Sequence, residues 1–137
     1  MTETILVTGG AGYIGSHIVV ELARAGYAPI VLDNFSTSSR AVLPRLATLT
    51  GAEVACVEAD VRDVDALRRA FHDRPITGVI HCAGLKAVGE AEARPLTYYG
   101  VNVGGAFALT EVMGRRASRR LSTARPRRST ASRSGFR

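Results

Sequence analysis

A glycine-rich segment near the amino terminus has residue types and spacing suited to binding a phosphate. Residues 8–15 read TGGAGYIG, between a short apolar run and an amphipathic stretch. Gly9 and Gly12 allow a tight turn and close approach of the backbone to a diphosphate, and Gly15 allows a helix to pack on a strand. The amides of Gly12 to Ile14 would face an anion at the start of a helix. The alternative is a glycine-rich turn without a ligand.

Two acidic positions follow later apolar runs. Asp33 ends the second run, where a carboxylate can accept both hydroxyls of an adenosine ribose and would repel a 2'-phosphate. This position favours NAD over NADP, the alternative being an aspartate that caps a helix or forms a turn. Asp60 and Val61 follow the third run and can present a carboxylate and an amide to the adenine edge. Asp60 can equally cap the helix that begins near Asp63.

The elements that must position these residues alternate regularly along the chain. Apolar, β-branched runs predict strands at Thr4–Thr8, Pro29–Leu32, Glu53–Glu58 and Gly78–Cys82. Helical spacing predicts helices at Tyr13–Ala25, about Arg40–Leu49 with Pro44 shortening it, Val64–Phe71 and about Leu96–Met113. This order predicts right-handed crossovers and an α/β fold with a doubly wound parallel sheet, which is Rossmann-like.

The last of these helices carries a specific packing expectation. Its inward side chains are predicted to be Val103, Phe107, Leu109 and Val112. Gly104 and Gly105 are expected to permit close approach of a neighbouring element.

The charge is distributed unevenly. Residues 1–113 contain nine basic and twelve acidic side chains, whereas residues 114–137 contain nine arginines and no acid. We therefore divide the chain into a nucleotide-binding domain at 1–113 and an Arg/Ser-rich tail at 114–137, which we expect to be disordered. The tail could contact nucleic-acid phosphates, but Phe136 is its only aromatic residue, so a nucleic-acid partner is not expected.

The remaining composition indicates a soluble cytoplasmic protein. Cys56 and Cys82 lie in apolar runs without CxxC spacing, which favours reduced, buried thiols over a disulfide or a metal site. No secretory signal is recognisable at the amino terminus. Glu21 and Arg24 interrupt the most apolar helix, so no membrane span is expected.

Three segments together resemble a known family. They are TGGAGYIGSH at 8–17, DNFSTSSR at 33–40, and HCAGLKAVGE at 81–90 with PLTYYGVNV at 95–103. These segments are similar to those of the extended short-chain dehydrogenases, and within them the UDP-glucose 4-epimerases, over residues 4–113. The resemblance implies a bound NAD, a nucleotide-sugar substrate interconverted between UDP-glucose and UDP-galactose by transient hydride transfer, and frequent homodimers.

The resemblance and the glycine loop together imply a set of cofactor-binding residues. These are Gly9, Gly12, Tyr13, Ile14, Gly15, Asp33, Asn34, Phe35, Ser36, Thr37, Ser38, Asp60, Val61, Cys82, Ala83, Gly84, Leu85, Lys86 and Asn102. Ala83 and Gly84 would present bare backbone to the adenosine and its ribose, and Asn102 a buried amide near the end of the fourth strand. Lys86 would bring a cation to the phosphate and nicotinamide side, unless it is a solvated surface lysine. His81 and Cys82 are expected to pack in the core.

The catalytic motif of this family is not found in the sequence. The family base is the tyrosine of YxxxK, whose lysine lowers the phenol pKa. None of the four tyrosines here has a lysine four positions later, and Lys86 is the only lysine. We therefore expect no catalytic residue and an inactive chain. The alternative function is an NAD-binding module without catalysis.

The family's next strand would begin near Ser118–Thr123, but that segment is not apolar enough, and we expect the substrate domain to be missing. The fourth strand is then expected to be an exposed edge. We hypothesise a truncated or frameshifted epimerase, with an evolved basic tail as the alternative. Resequencing the locus, to look for a downstream frame that encodes YxxxK, would decide between them.

Overall fold

The computed structural model describes residues 2–115 and 120–123. Strands and helices alternate along most of the chain, as the sequence predicts. The elements are β1 (Thr4–Thr8), α1 (Tyr13–Arg24), β2 (Ala28–Asp33), α2 (Val42–Thr50), β3 (Ala55–Glu58), α3 (Val64–Asp73), β4 (Ile76–His81), α4 (Val88–Ala93), α5 (Pro95–Tyr99), α6 (Gly105–Gly114) and β5 (Arg120–Thr123). A π-helical turn at Gly100–Gly104 joins α5 to α6.

The five strands form one parallel sheet in the order β3-β2-β1-β4-β5. The chain starts at β1, adds β2 and β3 on one side, and then crosses to the other side of β1 to form β4. This reversal confirms the predicted doubly wound, Rossmann-like fold. Where the strand order reverses, the carboxyl ends of β1 and β4 flank a crevice, the usual ligand site of such sheets.

Side chains on the two faces of the sheet build two separate cores. Leu6 and Val7 are adjacent in β1 and both fully buried, but they point to opposite faces. The face of Leu6 is covered by α3 and α6, and the face of Val7 by α1 and α2. Burial on both sides explains why the strand sequences read as continuous apolar runs.

The helix boundaries follow local signals. Asp63 caps α3, since its Oδ1 accepts a hydrogen bond from the amide of Ala66 at 3.0 Å. Gly51 ends α2 in the left-handed conformation, with φ of 78°. α2 begins at Val42, which places Pro44 in the first turn, where a missing amide hydrogen costs no helical hydrogen bond.

The predicted single helix over Leu96–Met113 was partly wrong. The π-helical turn interrupts it, and α4 precedes it without having been predicted. Leu109 and Val112 are buried as expected, whereas Val103 is 44% and Phe107 71% exposed.

Gly105 and the π-helical turn explain this packing. A Cβ on Gly105 would lie 2.5 Å from Cγ1 of Val61, so this glycine presses against the core and sets the buried face of α6. The π-helical turn has i→i+5 hydrogen bonds in place of i→i+4 bonds, and this wider turn breaks the single 3.6-residue period assumed from the sequence. A Cβ on Gly104 would meet open space among the described residues, so its predicted close approach was also wrong.

A fifth strand was not predicted either. Residues 120–123 pair in parallel with β4, with Val79 opposite Leu121, so β4 is not the edge of the described sheet. The open edge of β4 offers unpaired amide and carbonyl groups, and a backbone that satisfies them can form a strand even when its side chains are polar. The expectation of disorder for the rest of the tail concerns residues 116–119 and 124–137, which lie outside the described residues.

Neither cysteine is paired in the described residues. Cys82 is buried as expected, whereas Cys56 is only half-buried. Within residues 2–115 and 120–123, no helix is long and apolar enough to cross a membrane. The same residues contain no cluster of three or more histidine, cysteine or acidic side chains arranged to hold a metal ion.

Candidate functional site

A crevice of about 790 Å³ lies at the carboxyl edge of the sheet. Such a volume is within the range of cofactor and ligand sites. Most of the predicted cofactor-binding residues line it, namely Gly9, Gly12, Tyr13, Ile14, Gly15, Asp33, Asn34, Ser36, Thr37, Asp60, Val61, Cys82, Ala83, Gly84, Leu85 and Lys86. The fold therefore brings residues from four loops of the sequence to one place.

The lining also includes residues that the sequence reasoning missed. They are Leu32, Ala59, Arg62, Ala87, Glu90, Arg94, Thr97, Tyr98 and Val101. Arg62 directly follows the predicted pair Asp60–Val61, and this proximity was the one signal in the sequence that could have indicated any of the missed residues. Most of the others lie on α4, α5 and the turn that follows, an outer wall that the sequence pattern did not reveal.

Two glycines of the loop pack so closely against neighbouring backbone that a side chain would not fit. Gly9 has a φ of 66°, and a Cβ there would lie 2.7 Å from the amide nitrogen of Ala83. A Cβ on Gly15 would overlap the carbonyl oxygen of Gly9. These two positions therefore require glycine, as the motif predicted.

The start of α1 opens on this crevice with its amides available. Gly12 precedes the helix, and among the described residues no side chain hydrogen-bonds to cap it. The first turn contains no acidic residue. The amides of Tyr13 and Ile14 therefore keep the partial positive charge of a helix amino terminus, which suits the diphosphate of a dinucleotide.

Asp33 is nearly buried and holds both the glycine loop and the loop after β2. Its Oδ2 accepts from the amide of Ala11 at 3.1 Å, and its Oδ1 from the amide of Phe35 at 2.9 Å and the hydroxyl of Ser38 at 3.1 Å. The carboxylate thus forms the predicted turn and also lines the crevice, and its binding to a ribose stays a prediction.

Phe35 and Ser38 lie beside the crevice rather than in its described lining. Phe35 has a positive φ of 56°, and the guanidinium carbon of Arg40 lies 4.8 Å from its ring centroid. Both residues hold the loop after β2 through their hydrogen bonds to Asp33, and neither lines the crevice.

Asp60 forms a tight unit with Arg62 and Asn34. Its Oδ1 accepts from the backbone amide and Nε of Arg62 at 2.8 and 2.9 Å, and its Oδ2 from Nη2 of Arg62 at 2.8 Å and Nδ2 of Asn34 at 3.3 Å. Hydrogen bonding to the Arg62 side chain lowers the pKa of Asp60 to about 2. The possibility that Asp60 caps α3 was wrong, because Asp63 does so.

Asn102 does not line the crevice itself but holds the loop after β4, which does. Its Oδ1 accepts from the amide of Leu85 at 2.8 Å, and its Nδ2 donates to the carbonyl of Leu85 at 2.9 Å. The side chain is exposed, not buried as expected, and it lies outside the described lining. A Cβ on Gly84 would lie 3.1 Å from the Asn102 Oδ1, so the loop passes close to this amide.

Ionisable side chains from α4, α5 and the loop after β4 lie at the opening of the crevice. Tyr98 is buried and donates from its hydroxyl to Oε2 of Glu90 at 3.1 Å. Burial and the Glu90 carboxylate raise the pKa of Tyr98. Lys86 is exposed at the same opening, so its cation can reach an anionic ligand there.

The fold and the site together define a dinucleotide-binding protein of the doubly wound class. Residues 5–125 match the family model described as the NAD dependent epimerase/dehydratase family. The chain belongs to that family.

Curated relatives give the same result. The chain is 51% identical over 113 residues to a UDP-glucose 4-epimerase of Neisseria meningitidis, covering 82% of this chain and 33% of the relative. The identity to the human UDP-glucose 4-epimerase is 50% over 119 residues, covering 82% of this chain and 34% of the relative. The chain thus spans about a third of the length of the curated relatives it matches.

Solved structures of UDP-glucose 4-epimerases are similar to this chain in backbone fold as well as in sequence. The UDP-glucose 4-epimerase of Bifidobacterium longum, in complex with NAD+ and UDP, superposes with a TM-score of 0.85 at 41% identity, covering 88% of this chain and 36% of that one. The enzyme of Stenotrophomonas maltophila, with bound NAD and formylated UDP-arabinopyranose, gives a TM-score of 0.85 at 37% identity, again covering 88% and 36%.

Proposed function

We propose that this chain binds NAD in the crevice and corresponds to the cofactor-binding part of a UDP-glucose 4-epimerase. The observation that carries the proposal is the convergence of the bare glycine loop, the uncapped start of α1 and the Asp33 carboxylate on one crevice. The glycine loop and the start of α1 suit a diphosphate, and the carboxylate suits the hydroxyls of a ribose.

Specific residues would hold each portion of NAD. The amides of Tyr13 and Ile14 would bind the diphosphate, and Asp33 the hydroxyls of the adenosine ribose. Asp60 and Val61 lie at the end of β3, where the adenine edge would be read. Lys86 would face the nicotinamide side. A phosphate on the ribose would meet the Asp33 carboxylate, so NAD is preferred to NADP.

The substrate proposed for the whole enzyme is a nucleotide sugar, interconverted between UDP-glucose and UDP-galactose. When bound, NAD supplies a reversible acceptor for a hydride from the sugar ring. The chain's own residues would bind and orient the dinucleotide, but none of its tyrosines lies in a YxxxK motif. We therefore propose binding without turnover for the 137-residue chain. On the resemblance alone, we also propose that the complete enzyme is a cytoplasmic homodimer.

Calorimetric titration tests this proposal directly. NAD is expected to bind with a dissociation constant below the millimolar range, and NADP at least about tenfold more weakly because its phosphate approaches Asp33. A matched enzyme assay with UDP-galactose should show no turnover. The absence of heat at millimolar NAD would refute cofactor binding, and measurable turnover would refute the assignment as a binding module.

A further inference from the structure

The hydroxyl of Thr8 lies at the end of β1, fully buried, where β1 meets β4. Its Oγ1 accepts a hydrogen bond from the amide of Ala83 at 3.2 Å, and it shares the amide of Cys82, which lies 3.2 Å from Oγ1 and 3.0 Å from the Thr8 carbonyl oxygen. The same oxygen lies 2.7 Å from Nδ1 of His81. One hydroxyl therefore joins three consecutive residues at the exit from β4.

These contacts favour one direction for the third hydrogen bond. A hydroxyl has one proton and two acceptor lone pairs. Because Oγ1 already accepts from the Ala83 amide and shares the Cys82 amide, its proton is available to bond Nδ1 of His81. In that arrangement the imidazole is neutral, with an unprotonated Nδ1 and its proton on Nε2.

The Thr8 hydroxyl also determines where the Ala83 backbone lies. Ala83 lines the crevice directly against the glycine loop, since a Cβ on Gly9 would lie 2.7 Å from its amide nitrogen. A shift of the Ala83 backbone would therefore move the wall on which the dinucleotide is expected to rest.

We propose that neutral His81 is a positioning residue, which orients the Thr8 hydroxyl so that Ala83 and Gly84 are held in place for NAD, and that its protonation weakens NAD binding. A protonated Nδ1 would point a hydrogen at the Thr8 hydroxyl, whose own proton would then lack an acceptor in a fully buried place. This inference rests on the proposed function, because its consequence is measured as a change in the affinity for NAD.

The groups around His81 favour its neutral form. Burial, and then the positive charge of Lys86 on the loop after β4, lower the pKa of His81. Burial raises the pKa of the neighbouring Cys82 thiol, which keeps it uncharged. The residues paired with His81 in the adjoining strands are Thr8 in β1 and Thr123 in β5, and neither has an ionisable side chain.

The first experiment does not need NAD. Nitrogen-15 chemical shifts of the imidazole, assigned by their loss in His81→Asn, should show an unprotonated Nδ1 and a protonated Nε2 at pH 8. A proton on Nδ1, or a charged ring at that pH, would overturn the inference whether or not the chain binds NAD.

The second experiment measures NAD affinity by calorimetry at pH 8 and at a lower pH at which the nitrogen-15 shifts show that His81 is protonated. The wild-type affinity should fall about fivefold or more at the lower pH, the size expected for loss of one hydrogen bond. His81→Asn retains an acceptor oxygen near the position of Nδ1 but cannot titrate, so its affinity should remain near the wild-type value at both pH values. His72→Asn, at an exposed position in the last turn of α3, should retain the wild-type pH dependence.

Variants at Thr8 provide a second readout. Thr8→Ser keeps the hydroxyl and should bind NAD like the wild type, whereas Thr8→Val should bind at least about fivefold more weakly at pH 8. A wild-type pH dependence in His81→Asn, or wild-type affinity in Thr8→Val, would overturn the inference. Failure of wild-type protein to bind NAD at pH 8 would instead refute the proposed function and leave the imidazole measurement valid.

Discussion

The Oδ2 of Asp33 accepts a hydrogen bond from the backbone amide of Ala11 at 3.1 Å, which ties the end of β2 to the glycine loop after β1. The two segments expected to hold the diphosphate and the ribose are thereby fixed relative to each other. A single carboxylate thus has a structural role in the protein and an expected role toward the ligand.

Replacing Asp33 with asparagine tests both roles. The amide retains one acceptor oxygen but presents an NH2 group to either Ala11 or Phe35, which also donate. We expect NAD affinity to fall about tenfold or more and the free energy of unfolding to decrease by about 1–2 kcal/mol. Calorimetry and urea denaturation measure the two effects. Asp73→Asn, at the exposed end of α3, should change neither, and an equal loss in both variants would contradict the specific role of Asp33.

Gly15→Ala should disrupt the glycine loop. Its Cβ would overlap the Gly9 carbonyl oxygen, which is backbone and cannot move without displacing the loop. We expect unfolding to become easier by about 1–3 kcal/mol and NAD binding to be lost. The matched control is Gly89→Ala in α4, where a Cβ meets open space among the described residues and should be neutral or slightly stabilising. Wild-type binding by Gly15→Ala would argue against the close packing described.

Asn102→Ala should release the loop after β4. The substitution removes both hydrogen bonds to Leu85, so its amide should exchange with solvent at least about fivefold faster, as expected for the loss of about 1 kcal/mol of local stability. Hydrogen exchange followed by NMR measures this directly. Thr110→Ala removes only bonds within α6 and should leave the Leu85 amide unchanged. Unchanged exchange in Asn102→Ala would contradict the positioning role.

Arg62→Met should raise the pKa of Asp60 from about 2 towards its ordinary value. Because the folded-state pKa is lowered, this pair stabilises the fold above about pH 4, and the contribution is lost as the pH falls through about 2. At neutral pH we expect a loss of about 1 kcal/mol, reduced from the full shift by solvent screening. Carbon-detected NMR titration of the Asp60 carboxyl tests this. Arg68→Met, a surface ion-pair partner of Asp65 and Glu111, should leave the pKa of Asp60 unchanged.

Local signals predicted most of the fold. Apolar runs located the first four strands, and the glycine loop with Asp33 located the crevice, because these patterns depend on neighbouring residues in the sequence. The buried face of α6 was not predictable in the same way. It depends on the contact of Gly105 with Val61, which are far apart in the sequence, and on the π-helical turn before it.

The outer wall of the site illustrates the same limit. Glu90 and Tyr98 enter the crevice only because α4 and α5 fold back across it, and no periodic pattern marked α4. β5 was missed because the open edge of β4, rather than the apolar content of residues 120–123, supports it. Long-range pairing determined both features.

A crystal structure of the chain with bound NAD would test the proposed binding mode. We expect diphosphate oxygens within hydrogen-bond distance of the Tyr13 and Ile14 amides, and the adenosine ribose beside Asp33. Density for NAD at any other place, with the glycine loop empty, would contradict it.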